Sequence, residues 1–151
     1  MGTLKVGAKA PAFKGKDQNG NTISLGDFKG KKLILFFYPK DNTPGCTAEA
    51  CSLRDNYSAL QKNGFELLGV SVDDEKSHQK FITKHSLPFP LLADSDQKVV
   101  NAYGLWVEKS MYGRKYMGTA RTTVIIDEAG KIAHIIEKVD TKDHANQILG
   151  L

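Results

Sequence analysis

Cysteine is scarce in this chain: 151 residues hold two, Cys46 and Cys51. So few exclude the disulfide framework by which short secreted domains make up for a small core. No apolar run approaches the ~20 residues of a membrane-spanning helix, so no membrane partner is expected. Met1-Gly2-Thr3-Leu4-Lys5-Val6-Gly7 lacks the apolar middle of a secretory signal, and a reducing, cytoplasmic setting is expected. Internal repeats and low-complexity segments are missing. So is any basic stripe interleaved with aromatics: 21 Lys and Arg against 17 Asp and Glu give a net charge of +4, and the densest run, Lys29-Gly30-Lys31-Lys32, falls at a turn. That argues for a solvated basic surface, which could steer an acidic electron-donor protein, and against nucleic-acid binding.

Metal-ligand spacing is equally lacking. His78 and His85 share a helical stripe but lie about 10.5 Å apart along its axis, too far for one ion, and read as the edge of a face. His134 and His144 look isolated. Asp94-Ser95-Asp96 opens like a calcium loop without the later glycine and glutamate, so a helix N-cap is the better reading. Asn56-Tyr57-Ser58 matches a glycosylation sequon inside a predicted helix and is discounted. No metal site is found in the sequence.

What remains is ordinary globular material, 40% apolar and 25% charged, of a length for one domain over residues 1–151. Residues 1–31 read as an extended segment with a hairpin, 12–16 and 21–25 flanking Asp17-Gln18-Asn19-Gly20. Leu33–Phe37 has the composition of a strand buried on both faces. A helix is predicted from the cysteines to an Asn63-Gly64 stop, then a second buried strand over 65–72. Strand, helix and strand should form a right-handed parallel unit. Asp73-Asp74-Glu75 begins a further helix. Residues 87–93 break it and enter a short strand. Gly104 to Gly118 reads as a long loop, either packed on its own aromatics or lining the active site. Residues 121–126 and 131–136 flank a clear turn, and 143–149 closes with a short helix. Alternating strands and helices followed by a hairpin give an α/β layer fold.

Both cysteines fall where the first buried strand hands over to its helix. Unpaired N–H groups and partial positive charge at a helix N-terminus favour thiolate over thiol at Cys46. Pro44 is pre-set for the first helical position. Thr43 can donate to a bound oxygen or accept from a backbone N–H. An inert core cysteine is the competing reading, and the small, polar neighbours Asn42, Thr43, Gly45 and Thr47 disfavour it. In a regular helix, residues five apart differ by about 140° with Cα atoms about 8.7 Å apart, whereas a disulfide needs about 4.4–6.8 Å. Either Cys46 and Cys51 never bond, or the first turns unwind to let them, which requires a helix start of low local stability.

Pro39-x-x-x-Thr43-x-x-Cys46 resembles the active-site signature of peroxiredoxins, and Thr43-Pro44-Gly45-Cys46-Thr47-Ala48-Glu49-Ala50-Cys51 resembles the bacterioferritin comigratory protein, or peroxiredoxin Q, subfamily. Tyr103-Gly104-Leu105-Trp106, Met111-Tyr112-Gly113 and Gly118-x-x-Arg121-x-Thr123 extend the resemblance over almost the whole chain. It implies a thioredoxin-like fold, a central mixed sheet flanked by helices with an N-terminal β-hairpin. It implies a peroxidase for hydrogen peroxide and organic hydroperoxides, with Cys46 as the attacking thiolate and Cys51 resolving the sulfenic acid as an intramolecular disulfide. Thr43 and Arg121 match residues that bind peroxide oxygens and hold the thiolate, Pro39 one that shields the pocket, and Glu49 one that orients the arginine. Thioredoxin or a similar dithiol would be the reductant, no metal or organic cofactor would take part, and the protein would be a monomer or weak homodimer. The Gly-Gly-Leu-Gly and C-terminal Tyr-Phe elements of over-oxidation-prone peroxiredoxins are not found.

Other classes fit less well. A thiol–disulfide oxidoreductase would carry Cys-x-x-Cys, and ordinary thioredoxins place a cis-proline where this chain has Ala120-Arg121. A redox sensor or chaperone could use the same unwinding helix, with slow peroxide turnover as its mark.

Overall fold

Strand β3, Lys32–Phe37, is the centre of the molecule, and every residue after Lys32 in it is buried. The computed structural model describes residues 4–151, so the first three residues of the expected N-terminal segment lie outside the described residues. Side chains alternate across a strand, and in β3 both faces are covered. Ile34 and Phe36 join one apolar cluster, and Leu33, Leu35 and Phe37 the other. That is why the segment reads as an unbroken apolar run rather than as an alternation.

The chain continues into helix α1 (Pro44–Asp55), helix α2 (Tyr57–Lys62) and strand β4 (Phe65–Ser71). β4 runs parallel to β3, from Lys32↔Phe65 to Phe37↔Val70. The single helix expected up to Asn63 is thus two. At Asn56, φ −116° and ψ 14°, the side-chain amide donates to the Ser52 carbonyl at 2.9 Å. An asparagine side chain competing for helical carbonyls is a physical reason for the break.

Helix α3 (Glu75–His85) is capped by Asp74, whose carboxylate accepts from Ser77 N at 2.8 Å. Strand β5 (Leu91–Ala93) joins β4 in parallel. Gly69 of β4 sits where a Cβ would come within 2.6 Å of Leu91 and 2.7 Å of Phe36, so glycine is needed for these strands to pack. Helix α4 (Lys98–Ala102) has Gln97 at its N-cap position rather than a residue of Asp94-Ser95-Asp96, but Asp94 still satisfies its first turn by accepting from Val99 N and Val100 N.

The N-terminal hairpin, β1 (Lys14–Asp17) and β2 (Thr22–Ser24), pairs through β1 with β5. Residues 104–118 are not a loop. They form a two-stranded ribbon, β6 (Trp106–Met111) and β7 (Arg114–Thr119), separate from the main sheet and turned at Tyr112-Gly113 with φ of 52° and 77°. Most of its residues are exposed, so no apolar alternation marks it in the sequence. β8 (Thr122–Ile126), β9 (Ile132–Ile136) and helix α5 (His144–Leu149) complete the chain. The main sheet has the order β2-β1-β5-β4-β3-β8-β9 and is mixed, with helices on its faces, the expected thioredoxin-like layering.

Candidate active site

The site forms where β3 ends. Its neighbour β8 runs antiparallel with Phe37 opposite Thr122, and this register brings Arg121, the residue before β8, beside the loop that leaves β3. Asn42 in that loop takes the left-handed conformation, φ 61°, and Thr43 occupies the N-cap of α1 with Pro44 next. Cys46 is therefore in the first turn, and its side chain is buried.

Arg121 spans two partners. Nη2 donates to Cys46 Sγ at 3.3 Å and Nη1 to Glu49 Oε1 at 2.7 Å. Glu49 lies one turn beyond Cys46 and is completely buried. Gly45 leaves room for the guanidinium: a Cβ there would stand 3.1 Å from Nη2. A cation thus sits against the sulfur, held by a carboxylate on the same helix, at a terminus already favouring negative charge.

Burial pushes the Glu49 carboxyl up to about 7, with Arg121 acting in the opposite direction. Its Oε2 has no hydrogen-bond partner and faces His144 Nε2 at 3.6 Å. His144 is therefore not isolated. Burial holds its imidazole below the usual histidine range, against the hydrogen bond to Gln147. The Gln147 oxygen accepts from Nδ1 at 2.8 Å, so Nε2 of the neutral ring accepts from the Thr123 hydroxyl at 2.7 Å.

A second network pins the loop from behind. Asp41 accepts from Tyr38 Oη at 2.6 Å, Ser77 Oγ at 2.8 Å and His78 Nδ1 at 2.7 Å, and the other ring nitrogen of His78 meets the Leu92 carbonyl at 3.0 Å. Asp73 accepts from Asp41 N and Ser71 Oγ. Asp41, Asp73 and His78 have the atoms of a metal cluster, but these hydrogen bonds occupy them. His78 is fully buried, not the edge of a face.

Not every expected residue meets the sulfur. Thr43 donates its hydroxyl to the Lys40 carbonyl at 2.8 Å, and Pro39 is half-buried at the start of the loop. Cys51 is partly exposed farther along α1, with His85 Nδ1 3.9 Å from its Sγ, and both thiols are free. Both lie in the one unbroken helix α1, whose regular geometry sets Cα atoms five residues apart at ~8.7 Å, out of bonding range. Lys109 of β6 was not anticipated. Burial lowers its ammonium pKa, Arg121 lowers it further and Cys46 opposes this, which places Lys109 in the field of the site.

Comparisons with known proteins give the family. The AhpC/TSA family model matches residues 6–135. The chain is 49% identical over 148 residues, 98% of both chains, to the putative peroxiredoxin bcp of Coxiella burnetii. It is 43% identical to peroxiredoxin Bcp of Bacillus subtilis, covering 97% of this chain and 94% of that one. Among solved structures, bacterioferritin comigratory protein of Xanthomonas campestris, described for its alkyl peroxide reduction activity, superposes with a TM-score of 0.87 at 33% identity, covering 97% of this chain and 94% of that one. A cysteine-to-serine variant of Xylella fastidiosa PrxQ gives 0.92 at 29% identity, with 99% and 96% covered. The sequence match over nearly the whole length, and a free cysteine bonded to arginine at the head of α1, make this chain a member of the AhpC/TSA family and, within it, a thiol peroxidase of the Bcp/peroxiredoxin Q type.

Proposed function

We propose that this peroxidase attacks its substrate through Cys46, and the observation that carries the assignment is the Arg121 guanidinium 3.3 Å from Cys46 Sγ. The thiolate takes one peroxide oxygen, the O–O bond breaks, and the second oxygen leaves as water or an alcohol after protonation. Negative charge develops on that oxygen. Arg121 and the N–H groups at the start of α1 stabilise it as an oxyanion hole does. The Thr43 hydroxyl, half-buried at the N-cap, turns from the Lys40 carbonyl to a substrate oxygen. Pro39 limits water at the mouth. Glu49 positions Arg121.

Cys46 is left as a sulfenic acid. Unwinding of the first turn of α1 brings it to Cys51, whose sulfur displaces the oxygen as water and closes an intramolecular disulfide. A thioredoxin-type dithiol then restores both thiols. Hydrogen peroxide and alkyl hydroperoxides are the substrates, the second by likeness to the Xanthomonas protein. The catalyst is one domain, a monomer or weak homodimer of the cytoplasm.

Peroxide consumption with thioredoxin and its reductase tests the assignment. Cys46→Ser is expected to be inactive, and Cys51→Ser to give one burst ending in a sulfenic acid. Turnover by Cys46→Ser would move the activity elsewhere, to a general dithiol oxidoreductase or a sensor.

A further inference from the structure

Cys51 is not alone in its environment. Nδ1 of His85, the last residue of α3, lies 3.9 Å from its sulfur. Two backbone features hold the residue and one contact orients its ring. Arg54, one turn after Cys51, donates through Nη1 to the His85 carbonyl at 2.7 Å, the Phe81 ring meets the imidazole edge-on at 5.4 Å between centroids, and the chain turns away at Ser86 in the left-handed conformation. The charged groups facing the pair are Arg54 on α1, itself held by Asp55 at 2.9 Å, and Lys84 on α3. Burial, then Lys84 and Arg54, keep His85 below the usual histidine range, so the ring is neutral at physiological pH and has a lone pair to offer.

The contact also lies on the half of α1 that is anchored to neighbouring elements. Leu53 is buried, Ser52 Oγ accepts from Ala145 N at 3.2 Å, and the Arg54–His85 bond ties the second half of α1 to α3. When the first turn unwinds, Cys46 travels and Cys51 keeps its histidine.

We propose that His85 is the base of the resolving step, taking the Cys51 proton on Nδ1 so that Cys51 meets the oxidised Cys46 as a thiolate. The thiolate is the nucleophile in such displacements. Cys51 S–H passes its proton to Nδ1. The sulfur attacks Cys46 sulfenic sulfur, the S–S bond forms and the S–O bond breaks. Hydroxide leaves as water with a proton from solvent, and the imidazolium releases its own, so one sulfenic acid and one thiol become one disulfide and one water. The inference rests on Cys51 being the resolving cysteine.

The test is rapid-quench mass spectrometry after one equivalent of hydrogen peroxide, following sulfenic acid and disulfide in wild type, His85→Asn and His85→Gln. Cys46 oxidation should be unchanged. Disulfide formation should slow at least about tenfold at neutral pH, where only a few per cent of an ordinary thiol is ionised, and recover towards about pH 8.5, where the thiol ionises unaided. Wild-type resolution rates in both variants would overturn the proposal. A second reading keeps His85 native: in Cys46→Ser, iodoacetamide alkylation of Cys51 should rise in the imidazole range, and a rise only in the ordinary thiol range would count equally against it. Cys51→Ser is the control for the premise. If that protein still clears its sulfenic acid, the resolving assignment itself has failed and takes the role of the histidine with it, a result distinct from wild-type rates in the His85 variants.

Discussion

Glu49 Oε2 and His144 Nε2 face each other at 3.6 Å in the interior, and neither side chain is exposed. The ring nitrogen already accepts from Thr123, so it has no proton to offer an anionic carboxylate. A protonated Glu49 relieves this. Protonation removes the uncompensated charge from the unpartnered oxygen, while Oε1 keeps its bond to Arg121. The site is therefore built around a carboxyl whose charge is costly on one side and useful on the other.

The sign of the resulting pH dependence follows. Folded Glu49 keeps its proton to about pH 7, against an ordinary value of 4.5. Between the two the folded state binds more protons than the unfolded, so stability is full below the ordinary value and falls as pH rises. A shift of this size corresponds to about 3 kcal/mol. Glu49→Gln cannot ionise. Denaturant unfolding should show the variant gaining on wild type by that order as the pH is raised from about 5 to about 8. A difference constant with pH would mean that Glu49 titrates normally.

Arg121 bridges a sulfur and a carboxylate with two nitrogens of one planar group, which lysine cannot copy. Arg121→Lys keeps the charge and loses the fork. The second-order rate of Cys46 with hydrogen peroxide, followed by competition with a reference peroxidase, should fall about 10²- to 10³-fold, as for loss of one oxyanion-hole donor. A loss of only a few-fold would show that the charge alone suffices.

How much of this could be read in advance depended on distance along the chain. The apolar run of β3, Pro44 and the position of Cys46 are local signals, and each led to the element found. The break at Asn56 was hidden because an isolated asparagine is tolerated in many helices. The β6–β7 ribbon was hidden because Tyr112, Tyr116 and Met117 stay exposed, leaving no buried face to impose alternation. Histidine burial was the larger miss. His78 and His144 are sheltered by Asp41 and Thr123, 37 and 21 residues away, and nothing local announces such partners. Arg121 looks like a surface charge until the β3–β8 register sets it against α1.

Gly45 has a specific part in that contact. A methyl group there would press on Arg121 Nη2 at 3.1 Å, tighter than most real contacts, and the flexible guanidinium would be the group to yield. Gly45→Ala should leave the fold intact, since alanine suits a helix better than glycine by up to about 1 kcal/mol. Cys46 oxidation should nevertheless slow about tenfold through the displaced donor, since even a small misplacement of a catalytic group is costly. The diagnostic pattern is an unchanged unfolding midpoint with a reduced peroxide rate. If both stayed at wild-type values, the guanidinium has slack that the geometry does not suggest.

The Asp41–His78 pair sets the loop rather than the chemistry. Asp41 is the acceptor on which Tyr38, Ser77 and His78 converge, and its own N–H is held by Asp73, so the chain between β3 and α1 is fastened at one point to α3 and to the end of β4. Removing one member of a buried hydrogen-bonded pair strands the other, and Asp41→Ala should cost about 3–5 kcal/mol in denaturant unfolding. His78→Ala should cost less, because Asp41 keeps Tyr38 and Ser77. The double variant should fall short of the sum by about 0.5–3 kcal/mol, the interaction energy typical of contacting residues. Strict additivity would show that the two act on the loop independently, although 2.7 Å separates their bonded atoms.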